Sequence, residues 1–152
     1  KPEHELAIIE AGISRVGEMD NLEKIIRPDI CLITGIGDAH DSGFSDRREK
    51  IAEKLLLARD ASVVLCPEYL QAQVTASSNT SNVFCWGDTD QADLFVKSKR
   101  GEGYAELRGT WRGDESVLIV HGTDKASIAN SALCALYMYQ QGYDAEHRGA
   151  TE

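Results

Sequence analysis

Apolar residues are gathered into short blocks along this chain, and the blocks change character on either side of Pro67. Before it, compact apolar runs stand at 6–9 (LAII), 30–33 (ICLI) and 62–66 (SVVLC), each followed closely by a glycine, a proline or a charged residue. Runs of four or five apolar residues bounded this way predict strands buried on both faces, the type found in parallel sheets. Helical spacing fills the intervals. Met19, Leu22, Ile25 and Ile26 predict a helix over 17–26 that Pro28 ends, and Ile51, Leu55 and Ala58 predict one from a Ser45 or Asp46 cap to about Asp60. Strand, helix, strand with short links is a βαβ unit, whose crossover is right-handed in nearly all proteins. That topology puts Glu10, directly after the first strand, on the same sheet edge as the loop after the second.

Beyond Pro67 the segment 71–81 (QAQVTASSNTS) is polar and reads as a loop or a frayed helix. Four strand-like runs follow at 82–86, 92–97, 104–111 and 116–120, separated by turn residues such as Gly87-Asp88 and Gly113-Asp114. They read as antiparallel hairpins added to the parallel core. A long helix closes the pattern, capped by Thr123 or Asp124, with Ile128, Leu133, Leu136 and Tyr137 on one face and Gly142 ending it. The fold class is therefore α/β, a domain over 1–143 with 144–152 as a polar linker.

Candidate chemistry gathers where the run at 30–33 breaks into the loop Thr34-Gly-Ile-Gly-Asp-Ala-His-Asp-Ser-Gly-Phe44. Open α/β sheets bind ligands just past the carboxyl ends of their strands. Asp38, His40 and Asp41 sit there, with Glu10 at the neighbouring strand end. A glutamate and a histidine with further carboxylates in reach suit a divalent cation, and Mg²⁺ needs few protein ligands when a nucleotide phosphate supplies the rest. A solvated strand end explains Glu10 as well. Lys54 falls inside the apolar arc of its helix, between Leu57 and Ala58 at 100° per residue, where a snorkelling stem is the plainer account. No GxxxxGK[ST] phosphate loop occurs, and Gly35-Ile-Gly37 lacks the third glycine of a dinucleotide fingerprint.

Composition narrows the partners. The 152 residues carry a net charge of −9, which argues against a nucleic-acid backbone as ligand. No apolar run reaches membrane-spanning length and no signal peptide opens the chain, so a cytoplasmic location is expected. The four cysteines, Cys31, Cys66, Cys85 and Cys134, show no CxxC pairing and read as buried free thiols.

The segments Glu10-Ala-Gly-Ile-Ser-Arg-Val-Gly-Glu-Met19, Thr34-Gly-Ile-Gly-Asp-Ala-His40 with Gly43-Phe44, and Thr123-Asp-Lys-Ala-Ser-Ile-Ala-Asn130 resemble the central ATPase domain of the Mur ligases. Within that family they are most similar to the ligase that adds D-Ala-D-Ala to UDP-MurNAc-tripeptide, and the run Thr123–Asn130 resembles the form of it fused to an alanine racemase. The resemblance implies a three-layer α/β domain and an ATP- and Mg²⁺-dependent, ADP-forming amide ligase of peptidoglycan precursor synthesis. Such an enzyme acts through an acyl phosphate on UDP-MurNAc-peptide and D-Ala-D-Ala. It also implies roles for single residues. Glu10 and His40 help hold Mg²⁺, Lys54 is carbamylated and serves a second Mg²⁺, and Asn130 contacts the adenine. An ammonium cannot ligate a cation, whereas a carbamate is an oxygen donor; it forms from a neutral amine, which a half-apolar surround promotes by lowering the pKa.

Two departures from the family pattern stand out. The family loop carries an asparagine five residues before the histidine, where this chain has Gly35; restoring Asn is expected to tighten Mg²⁺-nucleotide binding. The chain opens at Lys1 without a methionine. It reads as a piece lacking the family's phosphate-loop strand and its C-terminal domain, expected to be inactive alone. The alternatives are another amide ligase of the same superfamily, of the folylpolyglutamate or cyanophycin synthetase type, or a non-catalytic scaffold domain.

Overall fold

Two βαβ crossovers and an antiparallel meander build a single sheet in strict chain order. The computed structural model describes residues 3–37 and 43–143. Its strands are β1 (Ile30–Leu32), β2 (Val63–Pro67), β3 (Val83–Gly87), β4 (Leu94–Arg100), β5 (Ala105–Trp111) and β6 (Asp114–Val120), paired β1-β2-β3-β4-β5-β6. The helices are α1 (Glu18–Ile26), α2 (Arg47–Leu55), α3 (Gln71–Ser77) and α4 (Lys125–Gln140). Helices α2 and α3 lie on one face. There Leu55, Ala58, Leu70 and Val74 pack with Cys31, Val64, Cys66 and Cys85 of the strands. Helix α4 covers the other, where Ala132, Leu133, Leu136 and Tyr139 meet Leu65, Leu94, Val96, Leu107 and Trp111. Val64 and Cys66 on one side and Leu65 on the other follow the two-residue period of a strand buried on both faces.

Both long-range helix starts are set locally. Asp46 accepts the amide of Glu49 at 2.8 Å, and Asp124 accepts that of Ser127 at 2.9 Å, so each carboxylate satisfies an amide that the first helical turn leaves unpaired. Gly142, at φ 83°, ends α4 in the left-handed conformation that glycine adopts freely. Aromatic contacts then fix α4 to the sheet. Trp111 stacks on Tyr139 with centroids 6.1 Å apart and meets Phe84 edge-on at 6.0 Å.

Several expectations from the sequence need correcting. The run 6–9 forms no strand, and Leu6, Ile8 and Ile9 are 70%, 90% and 56% exposed. A strand is made by pairing rather than by composition; β1 is three residues long, and among the described residues 6–9 does not pair with it. The first crossover unit is therefore β1-α2-β2, and β1 is an edge strand with Leu32 41% exposed rather than buried on both faces. Segment 71–81 holds a true helix, α3, anchored by a fully buried Val74. Strand β3 pairs parallel to β2 and to β4, so it is no hairpin arm, whereas β4 pairs antiparallel with β5 and forms a hairpin as expected. The six-residue link between β3 and β4 suffices because Leu94 pairs with Trp86 near the end of β3, and the chain steps sideways and runs on instead of returning. The Asp93 carboxylate accepts the Cys85 amide at 2.8 Å, standing in for a main-chain acceptor. Cys134 is exposed, whereas it read as buried, and Ile25 of α1 is 79% exposed. The 144–152 linker lies outside the described residues.

Candidate functional site

The loop after β1 is held by side chains from two directions. Ile36 is 3% exposed and anchors the loop in the core. Its amide donates to the Tyr69 hydroxyl at 3.4 Å, and its carbonyl accepts from Arg47 Nη2 at 3.0 Å. The next carbonyl, of Gly37, accepts from Lys50 Nζ at 2.5 Å. Gly35 takes φ 148°, a backbone region that residues with a β-carbon rarely enter. Tyr69 comes from the turn after β2, and Arg47 and Lys50 from α2. The loop thus leaves the carboxyl edge of the sheet fixed against the crossover helix.

A second segment reaches the same helix from the N-terminal side. The backbone of Gly43 lies so close to the Ser14 carbonyl that a β-carbon at 43 would overlap it. The Glu53 carboxylate, 7% exposed, accepts the amides of Gly17 at 2.7 Å and Met19 at 3.1 Å. Glu53 so caps the start of α1, where unpaired amides and the helix dipole favour a negative charge.

Lys54 follows Glu53 on α2 and is half-buried. Burial, with the nearby charge of Lys50 as the lesser cause, lowers its pKa and favours the neutral amine. Glu10 is exposed on a segment without regular structure, and its carboxylate makes no hydrogen bond or ion pair among the described residues. Asn130 is exposed on α4, the helix on the opposite face of the sheet from α2. Asp38, His40 and Asp41 lie outside the described residues. Among the described residues no three histidine, cysteine or acidic side chains converge on one point. The structure therefore ties the segment that follows Glu10 and the loop that precedes His40 to the helix of Lys54, and leaves Asn130 apart from them.

The donor chemistry fits Mg²⁺. Glu10 offers an uncommitted carboxylate, and the depressed pKa of Lys54 suits conversion to an oxygen-donor carbamate. The sequence reading missed Lys50 and Glu53. For Lys50 a signal existed: four residues before Lys54 it falls about 40° away on the helical wheel, inside the same apolar arc. Glu53 falls outside that arc and carried none.

This architecture, a mixed sheet with helices on both faces and a clamped glycine loop past a parallel strand, is that of an α/β domain. The chain belongs to the Mur ligase middle domain family, whose sequence profile matches residues 1–136. A UDP-N-acetylmuramoyl-tripeptide–D-alanyl-D-alanine ligase of Borreliella burgdorferi is 44% identical over 50 residues, which are 33% of this chain and 11% of that protein. Its Bacillus subtilis counterpart is 43% identical over 52 residues, 34% of this chain and 11% of the relative. The fold matches MurF of Acinetobacter baumannii with a TM-score of 0.83 at 20% identity, over 96% of this chain and 33% of that one. It also matches MurF of Thermotoga maritima, solved in complex with ADP, with a TM-score of 0.70 at 20% identity over 87% of this chain and 32% of that one. This chain thus spans about a third of the length of its structural neighbours. Among the described residues no helix is long and apolar enough to cross a membrane.

Proposed function

We propose that this chain is the metal- and nucleotide-handling domain of a cytoplasmic ATP-dependent ligase that joins D-Ala-D-Ala to UDP-MurNAc-tripeptide. The observation that supports it best is Lys54, a half-buried amine pushed toward its neutral form on a helix tied to both flanking segments. ATP phosphorylates the tripeptide carboxylate with release of ADP. The amine of D-Ala-D-Ala then attacks the acyl phosphate, phosphate leaves, and an amide remains. Lys54, as the neutral amine, adds to CO₂ with formation of a C–N bond and loss of one proton, and so gains a carboxylate-like donor. Glu10 and His40 would supply the other protein donors to Mg²⁺, and Asn130 would contact the adenine. Bound Mg²⁺ neutralises charge on the transferring phosphoryl oxygens; the remaining work is positioning.

Gly35 does not argue for a degenerate domain. The Tyr69 hydroxyl accepts the amide adjoining Gly35, and this supports a loop that stays pinned without a side chain at 35. The test is substrate dependence in the full-length protein that contains this chain. ADP release that requires ATP, Mg²⁺, UDP-MurNAc-tripeptide and D-Ala-D-Ala together is the expected result. Release with glutamate or another single amino acid as acceptor would assign the protein to a different amide ligase. Absence of turnover with every acceptor would favour a scaffold.

A further inference from the structure

Among the described residues three charged side chains are buried, and two of them, Lys50 and Glu53, lie on α2 within one turn of Lys54. Lys50 is 2% exposed and Glu53 7%. Charged groups are almost never buried without partners, because desolvation disfavours the charge unless hydrogen bonds replace water. Each of these directs its charge at main-chain atoms of a different segment. Lys50 Nζ donates to the Gly37 carbonyl at 2.5 Å, while Glu53 Oε1 accepts the amides of Gly17 and Met19 at 2.7 and 3.1 Å. One helix turn thus holds the loop after β1 with a cation and the start of α1 with an anion.

We propose that Lys50 and Glu53 are positioning residues, which tie the 35–37 loop and the 17–19 turn to α2 on either side of Lys54 and so set the spacing of the site. This rests on the ligase reading for its consequence in catalysis, but the ties themselves are independent of it. A plain core role would call for apolar side chains of the same size. Charged ends aimed at backbone atoms fix the orientation of the irregular 35–37 loop and of the Gly17-led first turn of α1. Misplacing catalytic groups by about 1 Å costs on the order of 100-fold in rate.

The test uses the full-length protein, with Lys50→Met and Glu53→Ala as disrupting variants and Lys50→Arg and Glu53→Gln as conservative ones. Hydrogen exchange is read at the amides of Gly17 and Met19 for Glu53 and of Ile36 and Gly37 for Lys50. Ligation is read as kcat and as the Mg²⁺ concentration for half-maximal rate. The disrupting variants are expected to speed exchange at those amides, to lower kcat about tenfold or more, and to raise the Mg²⁺ requirement. Glu53→Gln keeps the accepting oxygen and Lys50→Arg the donor, so both stay near wild type. Unchanged exchange in the disrupting variants overturns the proposal, and so does a wild-type Mg²⁺ requirement despite faster exchange. If Glu53→Ala does not fold, Glu53→Gln still decides, since a large kcat loss there contradicts an acceptor role. Wild-type protein without ligase activity would defeat the ligase reading, while exchange would still test the ties.

Discussion

The Tyr69 hydroxyl lies 3.2 Å from the point that a β-carbon would occupy at Gly35. The same oxygen accepts the neighbouring Ile36 amide. The exposed tyrosine can shift to relieve crowding, but the φ of 148° at Gly35 cannot be relieved that way. Gly35→Asn is therefore expected to destabilise the domain by about 1–3 kcal/mol, the typical cost of a residue held in a disfavoured backbone region. It should weaken Mg²⁺-ATP binding or leave it unchanged, the reverse of what the family pattern suggests. Denaturant unfolding with a nucleotide titration checks both; tighter binding at full stability would refute the account of this loop.

The face covered by α4 should be the more sensitive to truncation. Leu136 is fully buried among Leu65, Leu94 and Trp111, so Leu136→Ala is expected to cost about 2–5 kcal/mol. Ile25→Ala, at a 79% exposed position, should stay within about 0.5 kcal/mol. Chemical denaturation of the two variants measures the contrast.

The thiols give a pH prediction. Burial pushes Cys31 up to about 11 and Cys66 up to about 12, Cys85 adding to the latter shift. Unfolding returns them to their ordinary value near 9.0. Above that pH the unfolded chain sheds protons that the folded chain keeps. Their effect on stability is therefore nil below about pH 9 and destabilising as the pH rises from there toward 12. At pH 8 a soluble thiol reagent should modify Cys134 rapidly in the native protein and the three buried thiols at the rate of unfolding.

The cap of α2 matters because Lys50, Glu53 and Lys54 all ride on that helix. Asp46→Ala removes the acceptor of the Glu49 amide and is expected to cost about 1 kcal/mol. Asp46→Asn should retain most of the cap. Thermal unfolding of both variants decides this.

What could be read from sequence was what local chemistry decides. Asp46 and Asp124 cap their helices, Gly142 closes α4, and 62–66 forms a strand buried on both faces, because each depends on neighbours within a few residues. The half-buried state of Lys54 was legible too, since its place in the apolar arc follows from helical geometry alone. Pairing was not. Residues 6–9 have the composition of a strand without a partner among the described residues, and β3 and β4 run parallel because of where Leu94 meets Trp86. Glu53 was missed for a related reason: its role lies in accepting amides 34 and 36 residues away, which no periodicity on α2 reveals.

The most direct measurement is the ligation rate of the full-length Lys54→Ala variant, with and without added short carboxylic acids such as acetate or propionate. The variant is expected to lose ligation, and the acids to restore part of it by standing where the carbamate would. Full activity without any addition would contradict the assignment of Lys54 and, with it, the central reading of the site.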